Sequence, residues 1–305
     1  MVKKDRKQVK ILDIALDSTN KTQVLREVRV KIATFERKEP NYRPFYIVTP
    51  NPEIVLEALK DKNFALILNS ANFTIPDGIG LSQAAFFLSL PDYKFLPLRI
   101  FILLLQWFYT VFLTWFKKKR LFEKLNIIKG RKLFTDLIFL ANKKGWRVVL
   151  VGNLQGSAQK SASIIKNSYK KVKVFAFSGS ALNREGEALN QEEKKAEKEL
   201  LDSINKISPH LVFVGFGAPK QEKWLYRNLD SLKIGGAMVV GGTFDYVSGK
   251  LSLPPRFLEK LGLEWFWRLL VEPKRWLRIF RAVFVFPTKV ISFKLKKGLD
   301  RVASF

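Results

Sequence analysis

Asp77 stands in the run TIPDGIG (Thr74 to Gly80), where a short apolar stretch gives way to a glycine turn and then a helical pattern. A carboxylate at such a junction reads in two ways. It is a turn aspartate or helix N-cap, accepting from a free backbone N–H. Or it is a general base at the end of a strand, taking a proton from a substrate hydroxyl. The run TPN (Thr49 to Asn51) closes the preceding strand, so the polar side chains of Thr49 and Asn51 are expected at the same edge.

Three glycine-bearing junctions accompany it. In GFGAPKQEKW (Gly215 to Trp224), Gly215 and Gly217 permit close backbone approach, Pro219 opens a helix, and Lys220 and Gln221 fall in its first turn. Helix starts favour acidic side chains, so Lys220 makes sense there if it faces an anion; the plainer reading is an exposed charged helix start. VGNLQGSA (Val151 to Ala158) puts Gly152 and Asn153 at a strand-turn-helix junction whose N–H groups can hold a phosphate. It lacks the G-x-G-x-x-G spacing and a Walker lysine, so alone it is a weak nucleotide signal. VVGGTFDYVSGK (Val239 to Lys250) adds Gly242 and Asp245.

The elements that must position these residues follow from periodicity. FYIVT (Phe45 to Thr49), RVVLVG (Arg147 to Gly152), VKVFAFSG (Val172 to Gly179), LVFVGFG (Leu211 to Gly217) and GAMVVGG (Gly236 to Gly242) are β-branched and aromatic runs. Helical patterns separate them, which predicts an α/β fold with a mainly parallel sheet and helices on both faces. Ligands of such sheets collect at the C-terminal strand ends, where the glycines lie. Lys194 to Lys206 reads as a solvated amphipathic helix without function.

The chain has 305 residues, 47% of them hydrophobic, enough for one large domain or a domain with an appendage. Lys+Arg exceeds Asp+Glu by 54 − 27, a net +27, which calls for an anionic partner. There is no cysteine, so disulfides and cysteine zinc sites are excluded. The single His210 has no partners for a metal site and reads as structural. The N-terminus is basic without an apolar signal core, which argues against export. From Pro254 the chain turns rich in Trp, Phe, Arg and Lys, and an appendage of two or three helices is expected. Its cations are interleaved with large aliphatics rather than displayed on a polar face, which argues against nucleic acid as the partner.

Taken in order, TPNPEIV, ILNSANFTIPDGIG, VGN, PHLVFVGFGAPKQEKW, VVGGTFDYVSGK and LPPRFLEKLGLEWFWRLLVEPKRWLR resemble the WecG/TagA/CpsF glycosyltransferases, glycosyltransferase family 26. The resemblance covers most of the chain. It implies a Rossmann-like core over residues 1–250 and a helical, membrane-docking appendage over 251–305. It implies transfer of N-acetylmannosamine, or a related sugar, from a UDP donor to a GlcNAc carried on undecaprenyl diphosphate at the cytoplasmic membrane face. Asp77 would be the base and Thr49 and Asn51 would line the donor pocket. Gln221 would contact the donor, and the loop of Gly242 and Asp245 would lie near the nucleotide. Arg268, Arg275 and Arg278 would reach the diphosphates of donor or lipid.

The chemistry fits this independently. UDP departs with charge developing on its diphosphate, and something positive must offset it. The chain has no D-x-D for a metal, so no metal or other cofactor is expected, and arginine is the substitute. Arg268, Arg275 and Arg278 lie seven and then three residues apart, close to one helical face. Two alternatives stay open: another donor, such as UDP-glucose or UDP-ManNAcA, and a non-catalytic membrane-binding module. One departure from the family is the region LNIIKGRKL (Leu125 to Leu133), where isoleucine stands in place of an arginine and Lys129 or Arg131 is the replacement.

The other departure is an apolar insertion over about residues 86–124. Leu98 to Phe116 carries one charge, Arg99, and is followed by KKKR (Lys117 to Arg120). As a helix it would be about 29 Å long, near the thickness of a bilayer's hydrocarbon core. A single span would put TIPDGIG and VGNLQGSA, parts of one sheet, on opposite sides of the membrane. Cations at both ends also suit a helix whose ends share a side. The segment is therefore read as interfacial or a re-entrant hairpin, with Trp107, Tyr109 and Trp115 at headgroup level. A homo-oligomer contact and a buried core helix are the competing readings.

Overall fold

The computed structural model describes residues 6–93 and 96–303, with side chains omitted for 96, 97 and 298–303. Among the described residues there are eight strands: β1 (Gln8–Ile11), β2 (Ile14–Asp17), β3 (Phe45–Val48), β4 (Phe73–Thr74), β5 (Arg147–Gly152), β6 (Lys173–Ser178), β7 (Leu211–Gly215) and β8 (Gly236–Val239). Strands β3 to β8 form one sheet in the order β4-β3-β8-β7-β5-β6. Every pairing in it is parallel.

The central strands are apolar throughout because both faces are covered. Alternate residues go to opposite sides. Tyr46, Val48, Val149, Val151, Val212, Val214 and Val239 join one core cluster with Val55, Leu68, Leu81, Ile204 and Trp224 of the helices above. Phe45, Ile47, Val148, Leu150, Leu211, Phe213 and Met238 join the other with Val28, Leu137 and Ala162 below.

Strands β1 and β2 form an antiparallel hairpin that the periodicity did not reveal. It closes the β4 edge: the Thr74 amide donates to the fully buried Asp17 carboxylate at 2.9 Å. An edge strand's free N–H is thereby satisfied.

The insertion is one continuous helix, Leu96–Phe116, followed by a short helix Lys118–Lys124. It is therefore not a re-entrant hairpin. Arg99, Leu103, Thr110, Leu113 and Thr114 recur at helical spacing and are buried against the body. Leu98, Phe101, Leu105, Phe108, Phe112 and Trp115 recur on the other side, 49–69% exposed. The helix is thus not a core helix either; it packs by one face and presents an apolar stripe on the other.

Arg99, read as a flanking cation at one end of the helix, is not a free charge. It is 1% exposed, holds Asp92 through two hydrogen bonds at 2.8 and 2.9 Å, and donates to the Lys294 carbonyl. A charge this deep is stable only when fully partnered. Trp107 faces inward and meets Phe87 edge-on at 5.4 Å. Tyr109 and Trp115 are exposed as expected.

The tail consists of helices Arg256–Leu261 and Glu264–Val271 and a third helical run in which Trp276–Phe280, a π-helical stretch Arg281–Val285 and Phe286–Ala303 follow without a break, within the two or three helices expected. Phe286 and Val290 are fully buried in the core cluster above the sheet. Lys294 donates to the carbonyls of Phe87 and Leu90 and to Gln106, pinning the last helix to the insertion.

Candidate active site

The C-terminal ends of β3, β4, β7 and β8 open on one cavity of about 320 Å³. It lies in the crevice outside the sheet, where open parallel sheets bind ligands. Thr49 and Asn51 come from β3, Asp77 from β4, Gly217 and Gln221 from β7, and Gly242 from β8. The tail closes it with Trp265, Trp267, Arg268, Arg275 and Arg278. The cavity thus gathers the expected base and the expected arginines, although they are far apart in sequence.

Asp77 is not a helix cap. The cap position of helix Ile79–Ser89 is Gly78, with no side-chain hydrogen bond. Instead Asp77 Oδ2 accepts from the Gly130 amide at 3.1 Å. Its own amide donates to the Pro50 carbonyl, and the Ile128 amide donates to that of Pro76. Three loops are thereby tied around the carboxylate. Burial pushes the Asp77 carboxyl above the usual aspartate range, against the Gly130 hydrogen bond and the positive charges of Lys129, Arg131 and Arg268. A carboxylate raised in this way holds a proton more readily than a free aspartate, while its cationic surroundings favour the charged form.

Gly130 was not singled out from the sequence. A Cβ there would stand 3.0 Å from Thr49 Oγ1 and 3.3 Å from Asp77 Oδ2. The glycine lets the turn approach both side chains. Lys129 and Arg131, the two candidates for the missing family arginine, both line the cavity. Lys129 binds Glu259 at 2.6 Å and also Glu264, both on the tail. Arg131 lies over the Tyr246 ring at 5.2 Å, and Arg268 lies over the same ring at 5.9 Å.

Asn51 Oδ1 caps helix Pro52–Ala58 by accepting from Ile54 at 2.9 Å. Gln221 Oε1 accepts from two backbone amides, Gly217 and Gly241, each at 3.1 Å. Its Nε2 donates to Glu222 at 2.9 Å. The amide therefore stitches the β7 and β8 loops together at the cavity wall. Burial lifts the Glu222 carboxyl to about 7.

Five expected site residues are not in the cavity lining: Gly152, Asn153, Gly215, Lys220 and Asp245. Two of the glycines serve close packing. A Cβ on Gly152 would meet Ala158 Cβ at 2.6 Å, and one on Gly215 would meet the Phe244 ring at 2.8 Å. Asn153 accepts from the Gln155 amide at 3.1 Å in a local turn. Asp245 accepts from Ser157 Oγ at 2.6 Å and stands just behind Gly242. His210 sits at the opposite end of the sheet, accepting from the Arg147 amide and stacked on Trp146, a structural role.

A parallel α/β sheet with a carboxylate at its C-terminal edge and arginines closing the same cavity has the charge to receive an anionic ligand. Comparison gives the kind of protein. Residues 9–106 and 108–299 match the glycosyl transferase WecG/TagA/CpsF family, and the chain belongs to that family of enzymes. It is 30% identical over 237 residues to the N-acetylglucosaminyldiphosphoundecaprenol N-acetyl-beta-D-mannosaminyltransferase of Bacillus subtilis (strain 168), covering 76% of this chain and 74% of that protein. The Staphylococcus aureus (strain NCTC 8325 / PS 47) protein of the same name is 23% identical over 289 residues, covering 95% and 94%.

Proposed function

We propose that this enzyme transfers N-acetylmannosamine from UDP to GlcNAc carried on undecaprenyl diphosphate, with inversion and without a metal. The observation that carries the reading is the placement of Asp77 in one cavity with Arg268, Arg275 and Arg278. The names of the Bacillus and Staphylococcus relatives supply the sugar and the acceptor. The arginines supply the counter-charge that the diphosphate leaving group requires.

The step is a single displacement. Asp77 takes the proton of the acceptor hydroxyl as that oxygen bonds to the anomeric carbon. The bond from that carbon to the diphosphate oxygen breaks on the opposite side. UDP leaves with the electron pair, its charge met by the guanidinium groups.

The acceptor is lipid-borne, and the surface suits a membrane. The apolar stripe of helix Leu96–Phe116 is continued by the tail, since Lys118 donates to the Lys260 carbonyl and exposed Phe257 and Leu261 lie on that adjoining helix. Trp276, Leu277, Phe280 and Phe284 are about half exposed farther along. With a net charge of +27, this face fits peripheral binding to the anionic cytoplasmic leaflet.

The test is transfer from a panel of radiolabelled UDP-sugars to a short-chain GlcNAc-diphosphoryl lipid with EDTA present. Turnover with UDP-ManNAc supports the reading. Turnover only with UDP-glucose or UDP-ManNAcA would replace the donor, and none in EDTA that returns with added metal would remove the arginine-only account.

A further inference from the structure

The three tail arginines do not enter the cavity as free cations. Glu272, which follows helix Glu264–Val271, holds two of them. Its Oε2 accepts from Arg268 Nε at 3.1 Å, and its Oε1 pairs with Arg275 Nε at 2.6 Å. The Glu272 amide donates to the Arg268 carbonyl and the Arg275 amide donates to the Glu272 carbonyl, both at 2.9 Å. Side chain and backbone therefore fix one arrangement of this helix end and the turn after it.

The way Glu272 grips matters more than the pairing itself. It takes each guanidinium by the inner Nε and leaves the outer ends available. Both outer ends turn toward Gly242. The point a Cβ on Gly242 would occupy lies 3.4 Å from Arg268 Nη2 and 3.9 Å from Arg275 Nη2. Two like charges brought to one spot repel unless a carboxylate holds them and an anion fills the gap. Asp245 Oδ2 stands 3.7 Å from the same point. A diphosphate held by the two guanidinium groups must therefore turn a hydroxyl of its attached sugar, not a phosphate oxygen, toward Asp245.

We propose that Glu272 is a positioning residue, orienting Arg268 and Arg275 so that their outer nitrogens converge over Gly242 and seat a diphosphate. The inference rests on the glycosyl-transfer reading and adds the subsite to it. The diphosphate comes from the sugar nucleotide or from the lipid acceptor, and both present the same group. A competing role makes the opposite prediction: a carboxylate that merely occupies the arginines would be a rival of the ligand, and its removal would tighten binding.

The experiment is calorimetric titration of the full-length protein with uridine, UDP and the short-chain GlcNAc-diphosphoryl lipid. It compares wild type with Glu272→Ala, Glu272→Gln and Gly242→Ala. Positioning predicts that Glu272→Ala weakens UDP roughly 10- to 100-fold, the range for misplaced groups, with uridine unchanged. Glu272→Gln retains acceptor capacity at one oxygen and falls between. Gly242→Ala fills the seat from the other side, at a φ of −78° that alanine adopts freely, and weakens UDP without touching Glu272. Weakening confined to the lipid assigns the seat to the acceptor's diphosphate and still supports the inference. Unchanged or tighter diphosphate binding in Glu272→Ala, or unchanged binding in Gly242→Ala, overturns it. A wild type that binds neither diphosphate overturns the glycosyl-transfer reading itself, and the inference with it.

Discussion

The Gly130 amide donates to the Asp77 carboxylate across 3.1 Å, although the two residues are 53 apart in sequence. The same turn extends the Lys129 side chain to Glu259 and Glu264 of the tail. One two-residue turn therefore touches the Asp77 carboxylate with its backbone and the appendage with its side chain. The tail and the proposed base share this turn.

Gly130→Ala tests the close approach. The added methyl stands 3.0 Å from Thr49 Oγ1 and 3.3 Å from Asp77 Oδ2, so both side chains must shift by a few tenths of an ångström. The expected result is a kcat lower by about 10- to 100-fold with a nearly unchanged melting temperature. Steady-state kinetics beside a thermal melt measure both.

Lys129→Met tests the link to the tail. It removes one of the two lysines that hold the Glu259 carboxyl down at about 2, leaving Lys132, and it unpairs Glu264 from Lys129. The tail should become more open to limited proteolysis after residue 250. Lys129 also lowers the Asp77 pKa, so its loss moves that pKa further up. The acid limb of the kcat/KM profile, below which the base is protonated, should shift to higher pH.

Glu222 makes stability depend on pH. Its carboxyl titrates near 4.5 in the unfolded chain and at about 7 in the fold, raised by burial. The neutral form is the one the fold favours. Its contribution is fully present below about pH 4.5, declines as pH rises, and is gone above pH 7. At 1.36 kcal/mol per unit this amounts to about 3 kcal/mol. Denaturant titrations at several pH values should show Glu222→Gln abolishing most of that decline and gaining over wild type above pH 7.

Phe101 and Phe108 on the insertion helix are 59% and 69% exposed. Burying each in lipid is worth about 2 kcal/mol. The double substitution to aspartate should lower binding to vesicles containing anionic lipid by on the order of 1,000-fold. Transfer to a water-soluble acceptor analogue should be retained. Sedimentation with sucrose-loaded vesicles and that assay measure the two effects.

Much of this fold was legible because its parallel strands are buried on both faces. Continuous apolar runs ending in glycine marked β5, β7 and β8 to within three residues, and Asp77, Thr49 and Asn51 were legible as neighbours because adjacent strands end together. The β1–β2 hairpin was not, since four-residue strands with Lys10 and Asp13 around the turn leave no run of alternation. Nor were Gly130, Glu272 and Glu53. Their roles depend on the partner each meets across the fold, and no local pattern carries that information. Glu53, for example, pairs with Arg278 of the tail. Arg99 misled for the same reason: a cation near the start of an apolar helix looks like a free flanking charge until its partner Asp92 is in view.

The central claim is that Asp77 is the base of a transfer whose leaving group is held by arginine. The most direct test is Asp77→Asn, measured for kcat with the GlcNAc-diphosphoryl lipid and for UDP affinity by calorimetry. The asparagine keeps the Gly130 hydrogen bond and the shape of the cavity but cannot take a proton. A kcat lower by about 100- to 10,000-fold with UDP affinity retained is the predicted result. Activity within a few-fold of wild type would contradict it, and would move the search for the base elsewhere in the cavity.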